Sequence, residues 1–197
     1  MTRRCKHSRC TQELPPARQC DDFLEKKGFC SRECAVDWSL RKAQATIEKR
    51  DRQELRQRKE AIKTRAEHMR EAQAVFNAYI RARDEGLPCI SCGAHPNDNG
   101  LITGSRIDAG HYRSVGSCPA LRFSPLNCWA QCVKCNQFLS GNTVEYRKTL
   151  SLRIGDEMLD HLEGQHDPKK HTIDELKEIK AHYRRLTREL KQKQEAA

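Results

Sequence analysis

Apolar residues are sparse along this chain, and their spacing changes character from one stretch to the next. From Ser31 to Asp84 there is no Pro and no Gly, and Arg, Lys, Glu, Gln and Ala dominate. These are good helix formers, so the stretch predicts one long helix. Its middle, Arg41 to Arg65, is mostly basic and carries only Ile47, Leu55 and Ile62 as larger apolar side chains. Those three fall near heptad intervals, which permits a weak coiled-coil seam; a solvated single helix fits equally well. From Met69 the pattern turns amphipathic, with Met69, Ala72, Val75, Phe76, Tyr79 and Ile80 on one face. That end should dock on whatever follows.

Gly86 and Pro88 stop the helix, and the period then shortens. Arg106–Tyr112 and Cys128–Gln131 read as short strands. His95 to Gly104, rich in Asn, Asp, Pro and Gly, reads as an exposed loop. Cys135 to Leu139 begins a helix that Gly141 ends. Thr143 to Leu162 is helical, with Gly155 as a potential break, and Thr172-x-x-Glu175 is a capping box that starts a last helix to about Lys193. His161, His166 and His171 read as loop or helix-end residues rather than ligands. The fold class is α+β, mostly helical. A Cys-rich zinc knuckle is expected at 1–38, a long charged basic helix at 39–84, a zinc-braced ββα-metal core at 85–145 and packed C-terminal helices at 146–197.

Composition narrows the function. Hydrophobic content of 37% beside 32% charged residues argues against one large core. Lys and Arg outnumber acids 37 to 27, a net charge of +10 that favours a polyanionic partner over ordinary solubility charge. No run approaches membrane-spanning length and no N-terminal stretch looks like a signal peptide, so a membrane partner is not expected. Eleven cysteines, several in Cys-x2-Cys pairs, point to zinc in a reducing cytoplasm before disulfides.

Cys89-x2-Cys92 and Cys132-x2-Cys135 have the spacing of a single four-thiolate zinc site around a short insert. Cys5, Cys10, Cys30 and Cys34 make a second, looser set, with His7 and Cys20 as spare candidates. Four thiolates leave zinc no open position, so this zinc is structural and chemistry needs another ion. The insert supplies candidates for phosphodiester cleavage. His111 suits the base that takes a proton from water, and Asn127 suits holding that imidazole or its loop. Asp108 and Asn136 offer the oxygen donors that Mg²⁺ or Mn²⁺ selects. Each has a plainer alternative: His111 an ordinary strand histidine or a zinc ligand, Asn127 a turn residue, Asp108 a surface charge, Asn136 a helix cap. Arg113, Arg122 and Lys134 are candidates for phosphate contact or solvated charge, and Tyr112 and Trp129 for base stacking or core packing. Cys118 and Cys128 should fill core space.

Asp108-Ala-Gly-His-Tyr, Leu-Asn127, Gln-Cys132-x2-Cys135-Asn136 and Ser140-Gly141-Asn142 resemble the HNH endonuclease pattern, and more closely the NinG/Rap recombination proteins of lambdoid phages. The resemblance extends over nearly the whole chain. It implies an HNH-like core and a structure-specific endonuclease that cuts Holliday junctions and D-loops with Mg²⁺ or Mn²⁺. It also implies work beside phage recombination proteins in the host cytoplasm. Two positions depart from the general HNH pattern. Gly110 precedes the histidine where Asp or His is usual, leaving Asp108 as the nearest replacement. Asn136 stands where a histidine is usual, with Asn142 in reserve. Paired cuts on opposed strands would suit a homodimer, which the long helix could form. The alternative function is a zinc-stabilised nucleic-acid-binding module without catalysis.

Overall fold

The computed structural model describes residues 2–95 and 107–196, so most of the expected 95–104 loop and Arg106 lie outside the described residues. The chain divides into two compact units, Met1–Lys63 and Thr64–Ala197.

In the first unit, β1 (Arg3–Arg4) pairs antiparallel with β2 (Glu13–Leu14). Asp22 caps α1 (Phe23–Lys27), its carboxylate accepting the Leu24 and Glu25 N–H groups, and Gly28 ends it at φ 93°. Ser31 then caps α2 (Arg32–Ala61). No residue of α2 is buried, as expected of a helix whose few apolar side chains are diluted among charges. Phe29 packs edge-on against Trp38, ring centroids 5.3 Å apart, at its base.

The single helix expected from Ser31 to Asp84 is in fact two. Helical hydrogen bonding stops at Ile62, and α3 (Arg65–Arg83) begins afresh behind Thr64. The cause is a reciprocal cap: Thr64 Oγ1 accepts the Glu67 N–H at 3.3 Å while the Glu67 carboxylate accepts the Thr64 N–H at 2.8 Å. These bonds satisfy N-terminal donors that a continuous helix would have used internally.

The second unit is built on a hairpin of β3 (Ile107–His111) and β4 (Cys128–Cys132), antiparallel, with Asp108 opposite Gln131 and His111 opposite Cys128. A π-helical turn (Lys134–Phe138) follows, then α4 (Thr143–Ile154), α5 (Asp156–Glu163) and α6 (Ile173–Glu195). Gly155, at φ 80°, separates α4 from α5, and Thr172 with Glu175 caps α6 as the sequence indicates.

A two-residue-period strand has two faces, and each face of this hairpin is covered. On one, Ala109 and Cys128 join Phe76 and Ile80 of α3 and Tyr183 of α6. On the other, Trp129 lies against a cluster of Ile90, Cys118, Leu121, Tyr146, Leu150, Leu159 and Leu162. Cys118 and Cys128 are thus core residues. Arg83 and the buried Asp84 bolt α3 to the hairpin. Asp84 Oδ2 accepts the Ala130 N–H at 2.9 Å, and the Arg83 guanidinium, paired with Asp84, donates to the Pro125 and Cys128 carbonyls at 2.9 Å each.

Candidate functional site

Cys89 and Cys92 sit on the turn after α3, Cys132 ends β4 and Cys135 lies in the π-helical turn. Their four sulfurs are all within 4.8 Å of one another. Tetrahedral zinc with bonds of about 2.3 Å requires sulfurs about 3.8 Å apart, and Cys92 and Cys132 are at 3.8 Å. Thiolate charge is met by donors: Cys132 N–H to Cys89 at 3.3 Å, Cys135 N–H to Cys132 at 3.5 Å, and the Asn142 amide to Cys135 at 3.5 Å. The site therefore fits a structural zinc. Asn142, the reserve ligand, turns to this sulfur.

The N-terminal set closes too, with Cys10, Cys30 and Cys34 sulfurs at 3.4 and 3.5 Å and Cys5 within the same 4.8 Å. Cys20 and His7 stand apart from it. Cys20 gives its thiol to the Pro16 carbonyl at 3.4 Å, and the His7 imidazole pairs with Asp37.

Beside the hairpin, the Asp108 carboxylate meets side chains from the π-helical turn. Oδ2 accepts from Asn136 Nδ2 at 3.0 Å and from Gln137 Nε2 at 2.7 Å. Turning either amide over puts an oxygen where its nitrogen stands, and oxygens about 3 Å apart span one edge of an octahedron with bonds of about 2.1 Å. The donor set thus suits Mg²⁺ or Mn²⁺. Gln137 is the member that sequence reasoning missed, because position 137 is not part of the motif and it is the π-helical turn that brings consecutive residues 136 and 137 to one acceptor.

His111 goes elsewhere. It is three residues from Asp108 on one strand, so the two side chains leave opposite faces. Its Nε2–H donates to the Arg122 carbonyl at 2.9 Å, Nδ1 lies 3.6 Å from the Cys128 thiol, and the ring packs on Phe76 at 5.8 Å. Burial holds its pKa below the ordinary 6.5, leaving the imidazole neutral. The expected meeting of this imidazole with Asp108 and Asn136 is not made.

Asn127 is wholly buried and clips the loop that follows His111. Its Oδ1 accepts the Arg113 N–H at 2.8 Å, and its amide donates to the Arg113 carbonyl at 3.0 Å and the Leu121 carbonyl at 3.3 Å. The contact is with the loop, not the imidazole ring.

The basic candidates separate. Arg113 donates to the Leu162 and Glu163 carbonyls, 3.0 Å each, closing the end of α5. Arg122 reaches Gln73 at 3.2 Å, and Lys134 is exposed. The Arg83 and Arg153 guanidinium groups lie over the Trp129 ring at 4.2 and 5.1 Å, and Tyr112 bonds Glu163 while its ring meets Tyr146 at 5.4 Å. Both aromatics are packed within the fold.

These features define a class: a mostly helical α+β protein in which one of two four-cysteine clusters braces a hairpin and helical turn of HNH-like form. A family model described as bacteriophage lambda NinG protein matches residues 1–195. Protein ninG of Escherichia phage lambda is 39% identical over 203 residues, covering 96% of this chain and 93% of that one. Protein ninG of Salmonella phage P22 is 38% identical over 203 residues, covering 96% and 94%. That of Escherichia phage 933W is 44% identical over 137 residues, covering 70% and 65%. The chain belongs to the NinG family. No solved structure matches it. Among the described residues no helix is long and apolar enough to cross a membrane.

Proposed function

We propose that this protein is a metal-dependent endonuclease that cuts branched DNA, Holliday junctions and D-loops, during phage recombination in the host cytoplasm. Family membership and the metal-binding clusters support a nuclease-type function. The observation that carries the reading is the meeting of Asp108 with Asn136, 3.0 Å apart, on a hairpin and turn gripped by four cysteines. A divalent ion held there would neutralise charge building on the phosphorane and the leaving oxygen. Asp108 supplies the anionic oxygen, Asn136 and Gln137 the neutral ones, and the buried Asn127 keeps the loop after His111 in one geometry. The proton acceptor in this reading is His111 through Nδ1, its other nitrogen being committed to Arg122, and the ring has to turn from the Cys128 thiol to reach water at the ion. Lys134, exposed beside the cluster, and Arg122 meet phosphates, whereas Arg113 acts through the loop it ties down.

One observation favours a second reading, a binding module without catalysis. His111 faces the aromatic side of the hairpin, away from Asp108. Cleavage of linear, forked, D-loop and four-way substrates by zinc-loaded protein, with Mn²⁺ or EDTA, separates the two. The endonuclease reading expects Mn²⁺-dependent cutting that Asp108→Ala and Asn136→Ala remove while binding survives. His111→Ala should abolish cutting as well; a His111→Ala protein that cuts like wild type removes the imidazole from the chemistry and leaves the ion. Junction binding with no cutting under any ion establishes the module.

Leu40, Ile47, Leu55 and Ile62 are exposed along α2 and its end, which supports a homodimer through this helix. Light scattering on free and junction-bound protein tests it: a monomer mass in both states excludes the dimer.

A further inference from the structure

Between the first turn of α3 and the residues leading into α6 lies a cavity of about 360 Å³, lined in part by Arg65, Arg122, Lys169, Lys170 and His171. His171 is only 5% exposed, yet neither ring nitrogen has a hydrogen-bond partner. Burying an imidazole without partners costs about 1–3 kcal/mol per group, a cost that a ligand oxygen bonded to a ring nitrogen would relieve. Phe123 packs edge-on against the ring at 5.2 Å, and the His171 carbonyl accepts the Arg65 guanidinium at 3.5 Å.

The surroundings define the occupant's charge. Four cationic side chains line the cavity. Glu175, whose carboxylate accepts the Thr172 N–H at 2.7 Å, also pairs with Lys169 at 3.9 Å and offsets part of that charge. The N-termini of α3 and α6 both open here, each capped by its threonine, and add the positive ends of two helix dipoles. Burial and the Lys169 ammonium hold the His171 pKa below its ordinary value, a bias that a bound anion would reverse. The volume exceeds the roughly 300 Å³ at which ligand pockets begin, room for a phosphate with part of a sugar.

We propose that this cavity is a phosphate-binding site. Arg65, Arg122, Lys169 and Lys170 hold the phosphate, and His171 donates a ring N–H to one of its oxygens. The phosphate comes from a nucleic-acid backbone or from a free phosphate compound. Only the backbone source rests on the nuclease reading. Arg122 also ties the cavity to the hairpin, since its carbonyl receives the His111 Nε2–H. A backbone phosphate seated on its guanidinium is therefore registered one residue away from that imidazole.

The test uses the full zinc-loaded chain. Inorganic phosphate is titrated while the histidine ring resonances are followed by NMR, and duplex and four-way DNA binding is measured across salt concentrations. Variants are the pair Lys169→Gln with Lys170→Gln, and His171→Phe, which keeps the edge contact with Phe123. Lys191→Gln with Lys193→Gln removes the same charge at the far end of α6. Saturable movement of the resonance that His171→Phe removes, and so identifies as His171, supports the site when it is lost in the Lys169/Lys170 pair and kept in the control. For a backbone phosphate, the Lys169/Lys170 pair should also flatten the slope of log affinity against log salt by about 0.9 for each phosphate left without its cation. An unchanged slope with phosphate binding intact assigns the site to free phosphate. A His171 resonance indifferent to phosphate, or a control pair as damaging as the cavity pair, overturns it. Cleavage enters none of these measurements, so a protein that never cuts DNA refutes the endonuclease and leaves this result standing.

Discussion

Replacing Asn127 with Ala tests the clip on which the hairpin loop depends. The side chain is fully buried and makes three hydrogen bonds, two to Arg113 and one to Leu121. Alanine removes all three and leaves an N–H and two carbonyls without those partners. At about 1 kcal/mol for each bond, the direct loss is about 3 kcal/mol, with more if no water reaches the vacated space. A domain of this size carries about 5–15 kcal/mol in total, and about 3–4 °C per kcal/mol translates the loss into roughly 10 °C of Tm. Thermal unfolding of zinc-loaded wild type and variant, followed by circular dichroism in the same zinc buffer, measures it. Asn127→Asp should be at least as damaging, because it keeps the acceptor for Arg113 N–H but buries a carboxylate against the Arg113 and Leu121 carbonyls that the amide served. A variant melting within about 3 °C of wild type would refute the clip. Lost cleavage with unchanged melting would mean that the amide acts on the reaction itself.

Other sites in the fold carry expectations of their own. Gly110→Ala should destabilise by about 1–3 kcal/mol, read from denaturant midpoints, because a Cβ there would stand 2.1 Å from Gln131 Oε1 and 2.8 Å from its Cβ, in a side chain held by Ser91 and Gly141. Metal analysis should find two zinc per chain, and Cys132→Ser should lose one of them while the other stays with Cys5, Cys10, Cys30 and Cys34. His111 has a folded pKa below 6.5, so it stabilises the fold above pH 6.5 and that contribution is lost as pH falls through the folded value. Stability measured against pH should therefore decline on acidification, and His111→Gln should flatten the decline. An identical pH dependence in the variant would show that the imidazole is not held neutral.

What the sequence made legible was whatever depends on local spacing. The Cys-x2-Cys pairs are set by chain geometry over a few residues, and Thr172-x-x-Glu175 announces α6 through contacts three residues apart. Thr64-x-x-Glu67 carries the same signal, yet good helix formers on both sides masked it and two helices read as one. The Asp108 and Asn136 pairing was legible only as a motif, while Gln137 needed the π-helical turn. His111 shows the limit most clearly. Its place in the motif suggested a base beside the cation site, but strand alternation decides the face, and that follows from register rather than residue type. Arg83 and Asp84 look like ordinary charges at a helix end until α3 lies on the hairpin. His171, likewise, looked like a loop residue; its orphaned nitrogens emerge only once Phe123 closes over it.

The hairpin has five residues in each strand, and two strands alone are barely stable in water. Its integrity is borrowed from the helices on its faces and the thiolate cluster at its end. Metal starvation would therefore act on this protein as a dimmer. Chains would still be made, but the share in which residue 108 meets residue 136 would track the zinc available to them.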